Sequence, residues 1–475
     1  MLYCPYCKRE IERDWNYCHF CNKPLITDID QELDKKFVQS CSNTSFYNSE
    51  PIGEPIEYHT QIVFDEELEK KLNEIEEELN EKERKGEKIG DLLIEKASLY
   101  FKKRDLDSSL KNLEFALKNF QEDQDLLKIA ICHNEIGLLH EERGFFDQAI
   151  FHFDEAHLIL TNIGDIQKRV QVLNNLGNVY YLIKDWNQAY HHYQKALELS
   201  EKHQLDFEAI KSSSNLVEIL FIFNDYDRIQ KILQNNLAFF KERDDLYGII
   251  LTRIKYGKLF YNFGKNYYDQ SYQNFMKVLE LIDMINEKIS IFLKAQLEWE
   301  CYLFLGKLNL LWDNDLESED FFLKSLEAVR TFEVADHIKE GIVLENIGNM
   351  YTLRGEDQKA IEYYNFAKEI YEKFGDHDKV AEMFSSIGKI NQDYLQNYKE
   401  SIEAYDNALR IYDELEDYQN SAKVLELMSD IYLIESNKIN AIENLERAKT
   451  YYIKLEDKLK LQLINEKLKD LKSNN

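Results

Sequence analysis

Proline is missing from the last 420 residues of this 475-residue chain, since Pro5, Pro24, Pro51 and Pro55 are its only four. Proline breaks helix interiors and punctuates turns, so its absence over that length suits a nearly all-helical region. Long apolar runs are also missing: none approaches the roughly 20 residues needed to span a bilayer. The start, MLYCPYC, lacks the charged and apolar segments of a secretory signal. Basic charge is scarce, with 59 Lys and Arg against 88 Asp and Glu and a net charge of −29. Such a field opposes binding to nucleic acid and anionic membrane and favours basic partners. Together these deficits predict a cytoplasmic protein whose cysteines are thiols or metal ligands rather than disulfides. The length itself calls for several domains or a repeat array.

The repeat is visible in NNLGNVYYLIKDWNQAYHHYQKALEL, from Asn174, which returns as ENIGNMYTLRGEDQKAIEYYNFAKEI with Gly348, Ala360 and Ala367. With Gly177 as anchor, small residues recur at Ala97, Gly137, Gly257, Gly306, Gly348, Gly388 and Ser429, and Val217 fills the slot in a weaker copy. Most steps are 40 residues. A second small position follows 12 residues after the anchor, as at Ser109, Ala149, Ala189, Ser318, Ala360 and Ala441, and a third follows 19 after it, as at Ala116, Ala156 and Ala196. Large residues lie one turn beyond, among them Tyr180 and Tyr351 after the anchor and Phe153, Tyr193, Phe322, Tyr364 and Tyr405 after the second small residue. Small residues let helices approach where they cross, and the neighbouring large ones fill the remaining space. Each period therefore reads as two helices, with a turn near Gly144, Gly264 or Gly355. Asp125, Asp165, Asp206, Asp245, Asp336, Asp376 and Asp417 stand where first helices should begin, as N-caps, and Asp457 announces one further helix.

This small–aromatic–small pattern resembles the tetratricopeptide repeat family over about residues 89–458, in nine copies. The long period is similar to that of the kinesin-light-chain-like and LGN-like branches. The resemblance implies an all-α fold: a right-handed α-α superhelical solenoid whose first helices line a concave channel, closed by a capping helix over 459–475.

A second pattern lies in YCPYCKREIERDWNYCHFCNKPL, residues 3–25. Cys4, Cys7, Cys18 and Cys21 form C-x2-C-x10-C-x2-C, a spacing that sets four thiolates around one tetrahedral, structural Zn²⁺. A unit this small needs the metal in order to fold, and a structural zinc supplies roughly 10–16 kcal/mol of apparent binding free energy. The stretch resembles the short zinc-ribbon family, with Lys8 and Asn22 where that family usually has glycine; a rubredoxin-like iron site is the rival reading. Residues 26–64, polar and containing proline, read as a flexible linker. Over 65–88, Leu68, Leu72, Ile75 and Leu79 stripe a charged helix that would either cap the array or form a short coiled coil.

No Walker loop, GxGxxG, HExxH or nucleophile elbow occurs in the repeat region, and an enzyme is not expected. His133, His140, His191 and His192 read as packing or surface residues, Cys132 and Cys301 as core thiols. The recognition face is then expected on the first helices. Carried over from the family, the channel positions are Asn134, Asn174, Asn175, Asn178, Asn215, Lys255, Lys258, Lys307, Asn346, Asn349 and Lys389. Asparagine offers both donor and acceptor, so a ladder of them can pair with an extended peptide backbone. The lysines would accept acidic side chains or a C-terminal carboxylate. The expected function is a non-enzymatic adaptor that binds a peptide or protein in the channel and carries the ribbon as a second docking module. The alternative is a regulator whose ribbon contacts nucleic acid while the repeats sense a partner.

Overall fold

The computed structural model describes residues 2–3, 10–11, 63–286, 289–332 and 336–473. Near the start, β1 (Leu2–Tyr3) and β2 (Glu10–Ile11) pair antiparallel, Leu2 opposite Ile11 and Tyr3 opposite Glu10. Cys4, Cys7, Cys18 and Cys21, and the expected linker up to residue 62, lie outside the described residues. The rest is helical: α1 (Val63–Lys85), α2 (Gly90–Lys102), α3 (Leu106–Asp123), α4 (Leu126–Glu142), α5 (Phe146–Ile163), α6 (Ile166–Leu182), α7 (Trp186–Lys202), α8 (Asp206–Ile222), α9 (Tyr226–Glu242), α10 (Leu246–Asn262) and α11 (Tyr268–Ile285). Then follow α12 (Ile291–Leu311), α13 (Asp315–Thr331), α14 (His337–Leu353), α15 (Asp357–Phe374), α16 (His377–Asp393), α17 (Tyr398–Glu414), α18 (Tyr418–Ile434), α19 (Lys438–Lys454) and α20 (Lys458–Ser473). None of these helices is long and apolar enough to cross a membrane. Contacts divide the chain into two compact units, residues 1–297 and 298–475, with the division inside α12.

Within each unit a helix packs chiefly on those just before and after it in sequence, the nearest-neighbour arrangement of a solenoid. The caps follow from aspartate. Asp125, Asp165, Asp245, Asp336, Asp376, Asp417 and Asp457 each accept a hydrogen bond from the backbone N–H three residues on, which satisfies an otherwise orphaned helix donor. Asp206 is the exception: it is the first residue of α8, whose N-cap is Leu205, and no side chain caps that helix. Asp105, Asp185 and Asp225 cap second helices in the same way, a signal the sequence reading passed over.

The small residues mark the crossings. A Cβ built on Gly177 would lie 2.4 Å from Cε1 of Tyr193, and one on Gly348 would lie 2.8 Å from Cδ1 of Tyr364. Gly137 stands the same way against Phe153, Gly306 against Phe322 and Gly388 against Tyr405. Where the anchor is not glycine, the opposing residue shrinks: Ala97 pairs with Leu113 and Val217 with Leu233, each pair buried in one cluster. The crossing thus conserves volume between its two sides, as close packing requires. Serine serves at the second small position because its hydroxyl reaches the anchor's carbonyl across the crossing. Ser109 donates to Ala97 O at 2.8 Å, Ser318 to Gly306 O at 2.9 Å and Ser401 to Gly388 O at 2.7 Å. Ser271 does the same to Gly257 O at 2.7 Å, two places later than the pattern because a 3₁₀ turn, Lys265–Tyr267, intervenes.

Helix α1 begins at Val63, two residues earlier than expected, and caps the array. Leu68, Leu72, Ile75 and Leu79 are buried in one cluster with Leu93, Leu99, Phe120 and Ile129. Lys96 pairs with Glu76 at 2.7 Å and Lys103 with Glu69 at 2.9 Å. The stripe that could have formed a coiled-coil seam is spent on this contact, so the capping alternative is the one adopted. In the second unit α20 buries Ile464 and Leu468 and packs on α19.

Candidate peptide-binding face on the first helices

The first helices of successive pairs are α2, α4, α6, α8 and α10 in one unit, and α14, α16, α18 and α20 in the other. Three residues before the anchors at Gly137 and Gly177 the side chains do not face solvent, because the next helix pair roofs them. Asn134 is 0 % exposed and Asn174 1 %. Asn175, two before its anchor, is 3 % exposed and donates through Nδ2 to Asn134 Oδ1 at 2.9 Å, linking α6 to α4. Asn174 donates to Ser212 Oγ at 2.9 Å, linking α6 to α8. Lys255 is 6 % exposed; its Nζ reaches Ser214 O at 2.8 Å and stands 3.6 Å from Glu218. The equivalent slots in the second unit hold Glu345, which accepts from Tyr371 and Lys379, and Glu426, which accepts from Tyr452 and Lys460. Asn134, Asn174, Asn175 and Lys255 were expected to line a channel, and the structure corrects this. They form a buried ladder between first helices, whose pairing offsets the cost of burying polar groups, although Asn174 Oδ1 is left without a partner.

The position after the anchor behaves differently. Tyr193 donates to Asn178 Oδ1 at 2.7 Å, and Tyr364 donates to Asn349 Oδ1 at the same 2.7 Å. In both, the crossing tyrosine holds the amide through its carbonyl oxygen, which leaves the Nδ2 group as the asparagine's donor. Asn349 is exposed and Asn178 half-buried. Lys389 is exposed as well. Asn215 is half-buried, and so is Asn346, whose Nδ2 bonds back to Ile342 O at 2.7 Å. Lys258 stands 3.7 Å from Glu218 and over the Phe221 ring, and Lys307 lies over the Phe304 ring. Burial pushes the Glu218 carboxyl up, but the ammonium groups of Lys258 and Lys255 outweigh it and hold the carboxyl below its ordinary value.

The sequence reading did not single out Ser212, Ser213, Ser214, Glu218 or Asn236. Asn236 donates to Ser214 Oγ at 3.1 Å and Ser213 to Asn236 Oδ1 at 3.2 Å, extending the ladder into α9. The run SSSN at 212–215, polar residues inside a first helix, was the available signal. The two core cysteines are buried as expected, and burial pushes the Cys132 thiol up to about 12. Among the described residues no group of His, Cys, Asp and Glu is arranged to hold a metal ion. His140 is buried, and it joins His133 and His152 in a contact the sequence reading did not foresee.

Residues 128–202 match the family described as tetratricopeptide repeat, and residues 338–475 match that described as soluble NSF attachment protein, SNAP. Over 132 residues the chain is 26% identical to the transcriptional activator NprA of Geobacillus stearothermophilus, covering 28% of this chain and 32% of that protein. The chain thus spans about a third of the length of the curated relative it matches. Among solved structures, the apo form of the quorum sensor NprR from B. thuringiensis aligns with a TM-score of 0.50 at 11% identity, covering 73% of this chain and 99% of that one. A signal transduction ATPase with a tetratricopeptide repeat sensor from Pyrococcus horikoshii aligns with a TM-score of 0.49 at 18% identity, covering 70% and 49%. At such identities the NprR alignment speaks for the fold alone. The helix pairs and their glycine–aromatic crossings agree with the tetratricopeptide repeat match, which covers residues 128–202.

Proposed function

We propose that the chain is a non-enzymatic regulatory adaptor that binds an extended peptide or protein segment along its first-helix face. The observation that carries this reading is the pair of tyrosine-oriented asparagines, Asn178 and Asn349. Each lies on a first helix of its own unit, and an amide held through its oxygen keeps Nδ2 donors that suit the backbone carbonyls of an extended ligand whatever its sequence. Lys389, exposed at the same repeat position, supplies charge for an acidic side chain or a terminal carboxylate. Peptides selected from a random-sequence library on the wild-type chain provide the test. Asn349→Ala with Lys389→Glu is expected to weaken them about tenfold, at on the order of 1 kcal/mol per lost hydrogen bond. Unchanged affinity would remove this face as the site.

The four-cysteine module is read as one structural Zn²⁺ held by Cys4, Cys7, Cys18 and Cys21, serving as a second docking element. Its support is the ligand spacing, with Cys4 and Cys7 falling in sequence between the paired strands β1 and β2. Elemental analysis should find one zinc per chain, lost in Cys4→Ser with Cys18→Ser. The unfolding midpoint of the helical array should not move in that variant, because α1 already closes its end. Iron in place of zinc would favour the rubredoxin-like reading.

The similarity to a transcriptional activator favours a second reading, in which the repeats sense a ligand and the ribbon contacts nucleic acid. Binding of DNA by the full chain at low salt, abolished by the same cysteine substitutions, would support it over the adaptor.

A further inference from the structure

Three imidazoles meet where α4 crosses α5. His133 Nδ1 and His152 Nδ1 are 3.0 Å apart, and their rings are 5.2 Å apart between centroids. The His140 ring stacks on His152 at 5.5 Å and 20°; that residue is 8 % exposed, and its Nδ1 is buried without a partner. Phe145 flanks His140, and the edge of Phe151 meets His152. The 3.0 Å contact has a definite proton content, because one Nδ1 must donate and the other accept. A first added proton can go to the far nitrogen of the donor ring and leave the bond intact. A second must go onto the accepting Nδ1 and destroys it. His140 has no acceptor for a proton on its buried Nδ1.

The charges around the rings do not relieve this. Glu155, on α5, favours the charged form of His133, but burial outweighs it. Arg143 disfavours charge on His140, and its guanidinium is held 3.0 Å from Asp107 of α3. The other ionisable side chains of α3 (Lys111, Glu114, Lys118, Glu122 and Asp123) are exposed. From α6, Arg169 acts on His157, and from α7 Lys195 acts on His157 and His192; both disfavour the charged imidazole. The Nδ1 atoms of His157 and His192 are likewise buried without partners, and His192 stacks on Tyr180 at 7°. Burial first, then His133 and His140, bring His152 down to about 4.

We propose that the imidazole seam of His133, His140 and His152 is an acid-sensitive latch: proton uptake beyond the first loosens the α4–α5 pair and with it the Asn134–Asn175 link between first helices. The unfolded chain titrates these groups near 6.5 and the folded chain lower, so between about 4 and 6.5 the open form binds more protons. Stability from the seam is therefore complete above about pH 6.5 and is lost as pH falls toward about 4. The consequence for ligand binding rests on the first-helix face being the binding surface; the latch itself does not.

The test needs no ligand, so its failure is distinct from failure of the binding reading. Exchange of the histidine ring C2 protons in the wild-type chain, read by mass spectrometry against pH, gives each imidazole's titration. His152 should titrate well below the ordinary imidazole value of about 6.5 in that measurement. Backbone amide exchange, corrected for its chemical pH dependence, should show α4–α5 losing about tenfold more protection than α17–α19 between about pH 7.5 and about pH 5. His133→Gln with His152→Gln should remove that difference. If those substitutions prevent folding, the wild-type measurements decide alone. Titration of His152 at the ordinary imidazole value of about 6.5, or equal loss of protection in both segments, overturns the proposal.

Discussion

Gly177→Val is expected to lose about 3 kcal/mol of stability, because overpacking a fully occupied crossing typically costs about 1–3 kcal/mol and this one has no slack. A single Cβ at that position already lies 2.4 Å from the Tyr193 ring. Tyr193 cannot swing aside without releasing Asn178, whose Oδ1 it holds at 2.7 Å. Chemical denaturation of the variant should show a lower midpoint with an unchanged slope. The neighbouring repeat supplies the repair: there Val217 stands opposite Leu233, both buried in one cluster. Gly177→Val with Tyr193→Leu should therefore recover most of the loss, while Tyr193→Leu alone should leave a cavity and destabilise. If the double variant is no better than Gly177→Val, crossing volume is not what the small–aromatic pattern encodes.

Lys255→Glu is expected to cost about 3–5 kcal/mol at neutral pH, the range for breaking a buried ion pair so that one charge is left uncompensated. The substitution would bring a carboxylate against Glu218 and leave Ser214 O without its donor. Lys258, 3.7 Å from Glu218, cannot neutralise two carboxylates. Glu218→Gln in that background should restore a measurable part of the loss. The pH dependence has a definite sign. Glu218 in the wild type is held below its ordinary value, so its contribution is present above about pH 4.3 and is lost as pH falls through the folded value. In Lys255→Glu the deficit should instead shrink on acidification, as one carboxylate takes a proton. Equal stability of wild type and Lys255→Glu at neutral pH would contradict the buried ladder.

The crossings, the caps and the helix pairs were legible because they depend on local rules: glycine against an aromatic at fixed spacing, aspartate before most first helices, and no proline. The places where the reading slipped are places where a partner from another helix decides. Asp206 looks like its six equivalents, yet α8 starts at it instead of after it. Asn134, Asn174, Asn175 and Lys255 have the composition of a solvated face, but the roof over them comes from adjacent helix pairs, about 40 residues before or after in the sequence. No pattern within one helix reports that roof. The histidines were read one helix at a time, so His152, from the other side of the crossing, was left out of the group formed by His133 and His140.

The central claim is that the position after the anchor, at Asn178, Asn349 and Lys389, and not the buried ladder or the second helices, receives the ligand. A library-selected peptide carrying a photoreactive benzophenone side chain, crosslinked to the full chain and mapped by mass spectrometry, tests it directly. The account predicts adducts on the first helices, at or beside Asn178, Asn349 and Lys389, abolished by excess unlabelled peptide. Competed adducts confined to second helices, such as α5, α7 or α15, would contradict it.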